Sequence, residues 1–303
     1  MRVSTSFQHQ LGVNAMLDQH AKLAQTQLKL SSGKKYLTPS ENSVAAADLI
    51  NFQQNIKVNE QFQVNINMAR QRLELQESSL GNATETIHRI KDLAIQGLNG
   101  INTQENRKQI AKEIDQLNEH LFSLANTRNA NGEYIFSGTK TDTAAYSFSA
   151  GSYSFDGEPD SQRRISIGPE RSLTDADPGN QVFGDLVAEP MVPGSITNIF
   201  QAVAKLSQDF QADQPNSNSL TDLDQAMNRF DMVRASTGAR LHALDSQETL
   251  NADYILENQA TASEIGDLDY ADALSRFNLQ QVSLQAAQQA FSKVQNLSLF
   301  NYL

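Results

Sequence analysis

The sequence predicts a mainly α-helical chain with a β insertion, in which a long antiparallel coiled-coil rod carries a small central antiparallel β domain. Three observations predict it. Five of the seven prolines fall between Pro159 and Pro193, and eight of the fifteen glycines between Gly132 and Gly194, so long proline-free tracts flank a broken centre. Proline removes a backbone donor and clashes with the preceding turn, so its absence permits long helices. The flanking tracts repeat their apolar residues every seven positions, and the centre places aromatics at alternate positions.

Taken in order, residues 16–30 carry an apolar stripe at Leu17, Ala21, Ala24 and Leu28, the spacing of one helix face. Ser31, Ser32 and Gly33 end it, Thr38, Pro39 and Ser40 form a second break, and Ser40 is the expected N-cap of the next helix. From Ser43 to about Gly97 nothing stops a helix. One row of its seven-residue repeat is Ile66, Leu73, Leu80, Ile87 and Ala94, and the other is Ala69, Gln76, Ala83, Ile90 and Gly97. Only Gln76 and Gly97 depart from aliphatic character, which meets the coiled-coil criterion, and a helix of this length extends roughly 80 Å. Residues 97–102 make a turn. Thr103 is placed to cap a second helix running to about Arg128, with Ile110, Ile114, Leu117, Leu121 and Leu124 as its seam and an antiparallel neighbour implied by the short connection.

Asn131-Gly132 signals a tight turn before the short extended run Tyr134–Phe136. The pairs Tyr146/Phe148, Tyr153/Phe155, Ile165/Ile167 and Val182/Phe183, separated by Gly, Pro, Asp and Ser clusters, predict strands. Aromatics at period two favour order over disorder here, and a folded insertion is expected to have its own small core. Helix resumes over 196–210, pauses at 214–219, and restarts at Thr221 with Asp224 completing a capping box. Leu223, Met227, Phe230, Leu241 and Leu244 supply its apolar face, and Gly266-Asp267 mark a break. The last stretch has Leu274, Phe277, Leu284 and Phe291 on one face and Leu279, Val282, Ala286 and Leu297 on another, which implies burial on more than one side.

A net charge of −11 argues against a nucleic-acid binder or an anionic-membrane ligand, since phosphate binding needs a basic surface. The absence of cysteine excludes disulfides and thiolate metal sites. The N-terminal residues lack the apolar core of a cleaved signal, and no window has the length of a membrane span, so these rules alone would assign a cytoplasmic protein. The five histidines form no metal-ligand spacing apart from one Glu-x-x-His at Glu85 and His88, which as a single copy reads as a solvated helix face. With no nucleophile elbow or phosphate-binding glycine motif in the sequence, no catalytic, metal or cofactor residues are expected. What remains is surface of the kind that binds other helices.

Four segments resemble a known family. LSSGKKYLTPSENSVAAADL at residues 30–49 is similar to the N-terminal signature shared by flagellins and flagellar hook-filament junction proteins, the hook-associated protein 3 group. NANGEYIFSGT at 129–139 resembles the junction group more than flagellin, and STGARLHALDSQ at 236–247 and LQAAQQAFSKVQNLSLFNYL at 284–303 complete the set. The resemblance implies a non-enzymatic structural subunit that joins the hook, through the first hook-associated protein, to the flagellin filament. It implies a ring assembled through coiled-coil terminal segments. The alternative is a flagellin that builds the filament itself.

The resemblance further implies that residues 1–36 and 266–303 are inner-tube helices, disordered in the free monomer. Residues 37–137 and 195–265 would form the helical rod, and 138–194 a surface-exposed β domain. Partners would be the first hook-associated protein, flagellin and copies of the chain, with no nucleic acid and no membrane. Leu17, Ala21, Ala24, Leu28, Leu274, Phe277 and Leu284 are the expected assembly interface. An export chaperone is expected to hold the C-terminal helix at Leu279, Val282, Ala286, Phe291, Val294 and Leu297. Cysteine absence and the missing cleavable signal agree with flagellar type III export, so the resemblance replaces the cytoplasmic expectation with an extracellular flagellar location.

Overall fold

The computed structural model describes residues 5–159, 161–184 and 198–296. The described elements run α1 (Thr5–Ser32), α2 (Ser43–Leu98), α3 (Gln104–Ala125), β1 (Tyr146–Ser149), β2 (Ser152–Phe155), β3 (Arg164–Ser166), β4 (Ser172–Thr174), α4 (Gly179–Phe183), α5 (Ile199–Gln211), α6 (Asn218–Gly266) and α7 (Tyr270–Asn296). The chain divides into two compact units, residues 1–58 with 253–303, and residues 59–252.

In the unit formed by residues 59–252, all ten positions of the predicted heptad rows on α2 are buried, from Ile66 to Gly97. The two exceptions to the apolar pattern have physical reasons. Gly97 receives the ring of Phe210 from α5, and a Cβ there would lie 2.3 Å from Phe210 Cε2. Gln76 is fully buried and hydrogen-bonded through both ends of its amide. Thr103 caps α3 as predicted, its hydroxyl accepting from the Asn106 N–H at 3.3 Å. α3 ends at Ala125 rather than near Arg128, and its burial follows Ile110, Ala111, Ile114, Asn118, Leu121 and Ala125. Leu117 and Leu124 of the expected seam are only partly buried. The buried rows keep strict heptad spacing, Ala111, Asn118 and Ala125 with Ile114 and Leu121, so one row lies a residue further along from its first turn than the larger apolar residues suggested.

Among its described residues the insertion contains two separate antiparallel hairpins. β1 pairs with β2 in the register Tyr146↔Phe155 and Phe148↔Tyr153. The connecting residues Ala150 and Gly151 both have positive φ, as a tight two-residue turn between twisted strands requires. β3 pairs with β4 in the register Arg164↔Thr174. Three of the four predicted strand pairs are therefore strands. Val182 and Phe183 are not: they end the short helix α4, whose entry is set by Pro178 at φ −70. The β4 strand, with only one bulky apolar residue, Leu173, carries no alternation that would have announced it.

Among the described residues the insertion has no core separate from that of the helices. Phe136, Tyr146 and Phe183 join Phe200 of α5, Phe230 of α6 and the aliphatic rows of α2 and α3 in one continuous cluster. Ring centroids of Tyr146 and Phe200 stand 4.9 Å apart, and those of Phe183 and Phe230 5.3 Å, mostly edge to face. A second cluster joins Ile167, beside β3, to Ile66, Ala69 and Leu73 of α2 and Leu244 of α6. Short hairpins cannot bury enough apolar area alone, so their aromatics complete the helical core instead.

Two expected helix starts shift. Asn42 caps α2, its Oδ1 accepting from the Ala45 N–H at 3.1 Å, while the Ser40 hydroxyl pairs with Thr38 at 2.9 Å. α6 begins at Asn218, so Thr221 lies within its first turn. The helix expected from Ile196 is α5, capped by Asn198, and Ile196 lies outside the described residues.

Candidate assembly interface

The unit of residues 1–58 and 253–303 is built around α1 and α7. Gly33 stops α1 at φ +68, its N–H returning to the Lys29 carbonyl at 2.9 Å; a Cβ here would stand 2.8 Å from Tyr270 Oη. The Lys35 N–H then donates to Gly266 O at 2.8 Å and the Leu268 N–H to Gly33 O at 2.9 Å, which ties the end of α1 to the start of α7. Asp269 caps α7 by accepting from the Ala271 and Asp272 N–H groups. The intervening loop is closed by Lys29, whose ammonium lies 2.6 Å from Glu41 Oε2 and holds that carboxyl below its ordinary range. Asn42, besides capping α2, donates to Tyr36 Oη. Gly33, Tyr36, Glu41 and Asn42 of the N-terminal signature thus all serve this junction.

Because the helices are joined there and Gly12 meets Phe291 at the far end, α1 and α7 run antiparallel. The more buried positions of α1 are Gly12, Met16, Gln19, Leu23, Thr26 and Leu30. Those of α7 are Ala273, Phe277, Gln280, Leu284, Ala287 and Phe291. Both rows step by four and three, the seam of a two-stranded coiled coil. Beside it lies a groove of about 450 Å³ with Lys22 and Lys29 on one wall and Asp269, Asp272 and Arg276 on the other.

The predicted interface residues divide between this seam and the outer surface. Phe277 and Leu284 are half-buried within the seam. Leu17, Ala21, Ala24 and Leu28 stay exposed, Leu17 at 62% and Leu28 at 58%, and Leu274 is exposed beside them in character though on α7. In the set expected to meet a chaperone, Leu279 (68% exposed), Val282 (63%) and Ala286 face outward, while Phe291 is half-buried against Gly12. The Val294 side chain and Leu297 lie outside the described residues. Each helix therefore has one apolar row satisfied by its partner and another left in water.

The seam itself buries little. Among the described residues of this unit only Ala45 and Ala273 are buried hydrophobics, whereas the unit of residues 59–252 holds all the others. Full burial of a leucine side chain is worth about 1.5–3 kcal/mol, so outer rows carrying Leu17, Leu28, Leu279 and Val282 represent several kcal/mol available to a covering surface.

Sequence reasoning missed a polar seam in the other unit. Thr237, Leu244, Gln247 and Asn251 of α6 are buried at heptad spacing, and Arg240 lies on the same row. Gln76 Nε2 donates to Asp177 Oδ2 (2.8 Å) and Thr237 Oγ1 (2.9 Å), its Oε1 accepts from the Asp177 N–H (2.9 Å), and Arg240 makes a bidentate pair with Asp177. Arg171 reaches Gln247, and Asn251 donates to Ile167 O. Buried Asp175 lies between Arg163 and Arg72, whose guanidinium is pulled down by burial. This network fastens the insertion to α2 and α6. Its signal in the sequence was polar residues sitting at seam positions, Gln76 foremost. Glu85 and His88 are both exposed on α2, and among the described residues no group of three His, Asp or Glu could hold a metal ion.

With this geometry, residues 3–141 match the bacterial flagellin N-terminal helical region and residues 220–303 the bacterial flagellin C-terminal helical region. The chain is 31% identical to the flagellar hook-associated protein 3 of Escherichia coli over 99% of both chains. It is 27% identical to the protein of that name from Salmonella typhimurium, again over 99% of both. A putative flagellar hook-associated protein from Vibrio parahaemolyticus has a similar fold at TM-score 0.66 and 22% identity, covering 75% of this chain and all of that one.

Proposed function

The chain belongs to the flagellar hook-associated protein 3 family, a flagellin-like group, and on that premise we propose that it is the structural adaptor joining the bacterial flagellar hook to the flagellin filament. The observation that carries this reading is the full-length similarity to two hook-associated proteins rather than a match confined to the terminal helices. The first hook-associated protein on one side and flagellin on the other are its partners, with copies of itself completing a ring outside the cell. The alternative of a filament-building flagellin is not better supported, because the flagellins of Treponema pallidum and Listeria match at 25–26% identity over 85–91% of this chain.

In this reading residues 1–36 and 266–303 line the inner tube, 37–137 and 195–265 form the rod, and 138–194 face outward. The exposed rows at Leu17, Ala21, Ala24, Leu28 and Leu274 meet neighbouring subunits, while Phe277 and Leu284 hold the hairpin that presents them. The small buried area of the α1–α7 seam supports order that is gained on assembly, since most helical stability in proteins comes from tertiary packing of an apolar face. Leu279, Val282 and Ala286, with Phe291, Val294 and Leu297 further along, are the face an export chaperone would cover. A chain truncated after Ile265 should lose chaperone capture; undiminished capture refutes that assignment.

The test of the whole reading is a deletion strain. Loss of the protein should leave hooks intact and release unpolymerised flagellin into the medium, with filaments restored by the wild-type gene. Normal filaments without the protein would overturn the adaptor role, and a strain with no flagellin-like protein left to secrete would point to the filament subunit itself.

A further inference from the structure

The chain contains two Asn-Gly pairs, Asn99-Gly100 and Asn131-Gly132, both exposed and both in tight turns. Their surroundings are opposite in chemical consequence. The Ile101 N–H donates to Asn99 Oδ1 at 3.2 Å, folding the side-chain amide back over the next peptide, and the Asn102 N–H donates to Asn99 O at 3.1 Å. The Gly100 N–H has no acceptor among the described residues, and a Cβ at Gly100 would meet nothing within 4 Å. At the second pair, the Gly132 N–H is committed to Asn129 O at 3.0 Å, and the Asn131 N–H to Asn129 Oδ1 at 3.0 Å.

We propose that Asn99 is a site of spontaneous deamidation in the folded protein and that Asn131 is protected from it. The Gly100 nitrogen, once deprotonated, attacks Asn99 Cγ; the C–N bond to the side-chain nitrogen breaks, and ammonia leaves with a proton. Water then opens the cyclic imide at one of its two carbonyls, giving aspartate or isoaspartate. The net reaction consumes one water, releases one ammonia and needs no oxidant or cofactor. The fold favours it at Asn99 in two ways. The hydrogen bond from Ile101 N–H polarises the carbonyl that is attacked and faces the oxygen on which negative charge develops. The nucleophilic nitrogen gives up no hydrogen bond. At Asn131 attack first requires breaking the Gly132–Asn129 bond. Conversion at Asn99 adds a negative charge at the C-terminal end of α2, where the helix dipole disfavours it, beside Arg107, whose guanidinium donates to Gly97 O at 3.0 Å.

The experiment ages the purified full-length chain at neutral and mildly alkaline pH and maps peptides for amide-to-acid conversion and isoaspartate. Conversion at Asn99 is expected to run about tenfold or more faster than at Asn131, the factor one retained hydrogen bond supplies. In denaturant the two rates should converge, because both then sit in the same Asn-Gly context. Asn99→Gln should abolish the modification by requiring a larger ring, and Gly100→Ala, which the open space accommodates, should slow it. Equal rates in the folded chain, faster conversion at Asn131, or a ratio unchanged by denaturant would each overturn the proposal.

Discussion

Replacing Gln76 by leucine separates two ways of reading this chain. Seen as one more heptad site on α2, position 76 should welcome an aliphatic residue, and the change should stabilise the protein by about 1–2 kcal/mol of added apolar burial. The structure predicts the opposite sign. Gln76 is fully buried, and its amide makes three hydrogen bonds, two of them to Asp177. Leucine would orphan the buried Asp177 N–H, at about 1–3 kcal/mol, and remove a charge-assisted bond to its carboxylate, at about 1.5–3 kcal/mol. Thr237 loses only the donor to its hydroxyl oxygen, because that hydroxyl still donates to Val233 O. After the apolar gain, a net loss of about 2–4 kcal/mol is expected. Urea unfolding followed by far-ultraviolet circular dichroism measures it, with the slope checked for constancy. A double-mutant cycle with Asp177→Asn should return a coupling of at least about 1 kcal/mol, since the two side chains are in direct contact. A Gln76→Leu variant as stable as the parent, or more so, would refute the claim that this network pins the insertion to α2 and α6.

Other expectations rest on single contacts. Gly97→Ala should destabilise by about 1–3 kcal/mol through overpacking against Phe210, and Phe210→Leu in the same chain should recover part of that loss in the urea midpoint. Asn42→Ala should cost about 1 kcal/mol of helix-cap stability while Ser40→Ala costs a few tenths, and the reverse order would disprove the cap assignment. The folded pKa of Glu41 is lowered by Lys29, so its contribution to loop closure is present above the ordinary glutamate value and is lost as pH falls through the lower folded one. Carbon NMR of the Glu41 carboxyl should titrate below a peptide glutamate, and Lys29→Met should move it upward. Leu17→Ser with Leu28→Ser should leave the circular dichroism of the free chain unchanged but abolish filament attachment in a complemented deletion strain.

The long helices were legible in the sequence because their information is periodic and local. Ten heptad positions of α2, the Thr103 cap and the break at Gly266 could each be located from residue spacing alone. The insertion was legible only where alternation was strong, at Tyr146/Phe148 and Tyr153/Phe155, and failed at Val182-Phe183, where two adjacent apolar residues fit a strand or a helical turn equally well. The shared core could not be inferred, because nothing in Phe136 or Tyr146 itself says that Phe200 and Phe230 lie opposite. At the terminal helices the spacing located apolar rows but not which row pairs within the chain. Leu17–Leu28 had the cleaner pattern, yet the row containing Met16 and Leu23, diluted by Gly12, Gln19 and Thr26, is the one that packs on α7.

That inversion has a physical logic. A seam diluted with glycine, glutamine and threonine holds two helices together weakly, whereas a clean aliphatic row left in water gains most from a surface that arrives later. The polar Gln280 and Gln19 in the inner row limit the stability of the isolated hairpin, and the loop tied by Lys29–Glu41 and Gly33 sets where it begins. Hydrogen exchange distinguishes this arrangement from an ordinary stable hairpin. Amides of α1 and α7 should exchange at rates near those of free helices in the dilute chain, while those at Ile66–Ile90 approach the global unfolding limit. Equal protection of both sets in the monomer would mean that the terminal seam is sufficient by itself, and the gain of order on assembly would lose its basis.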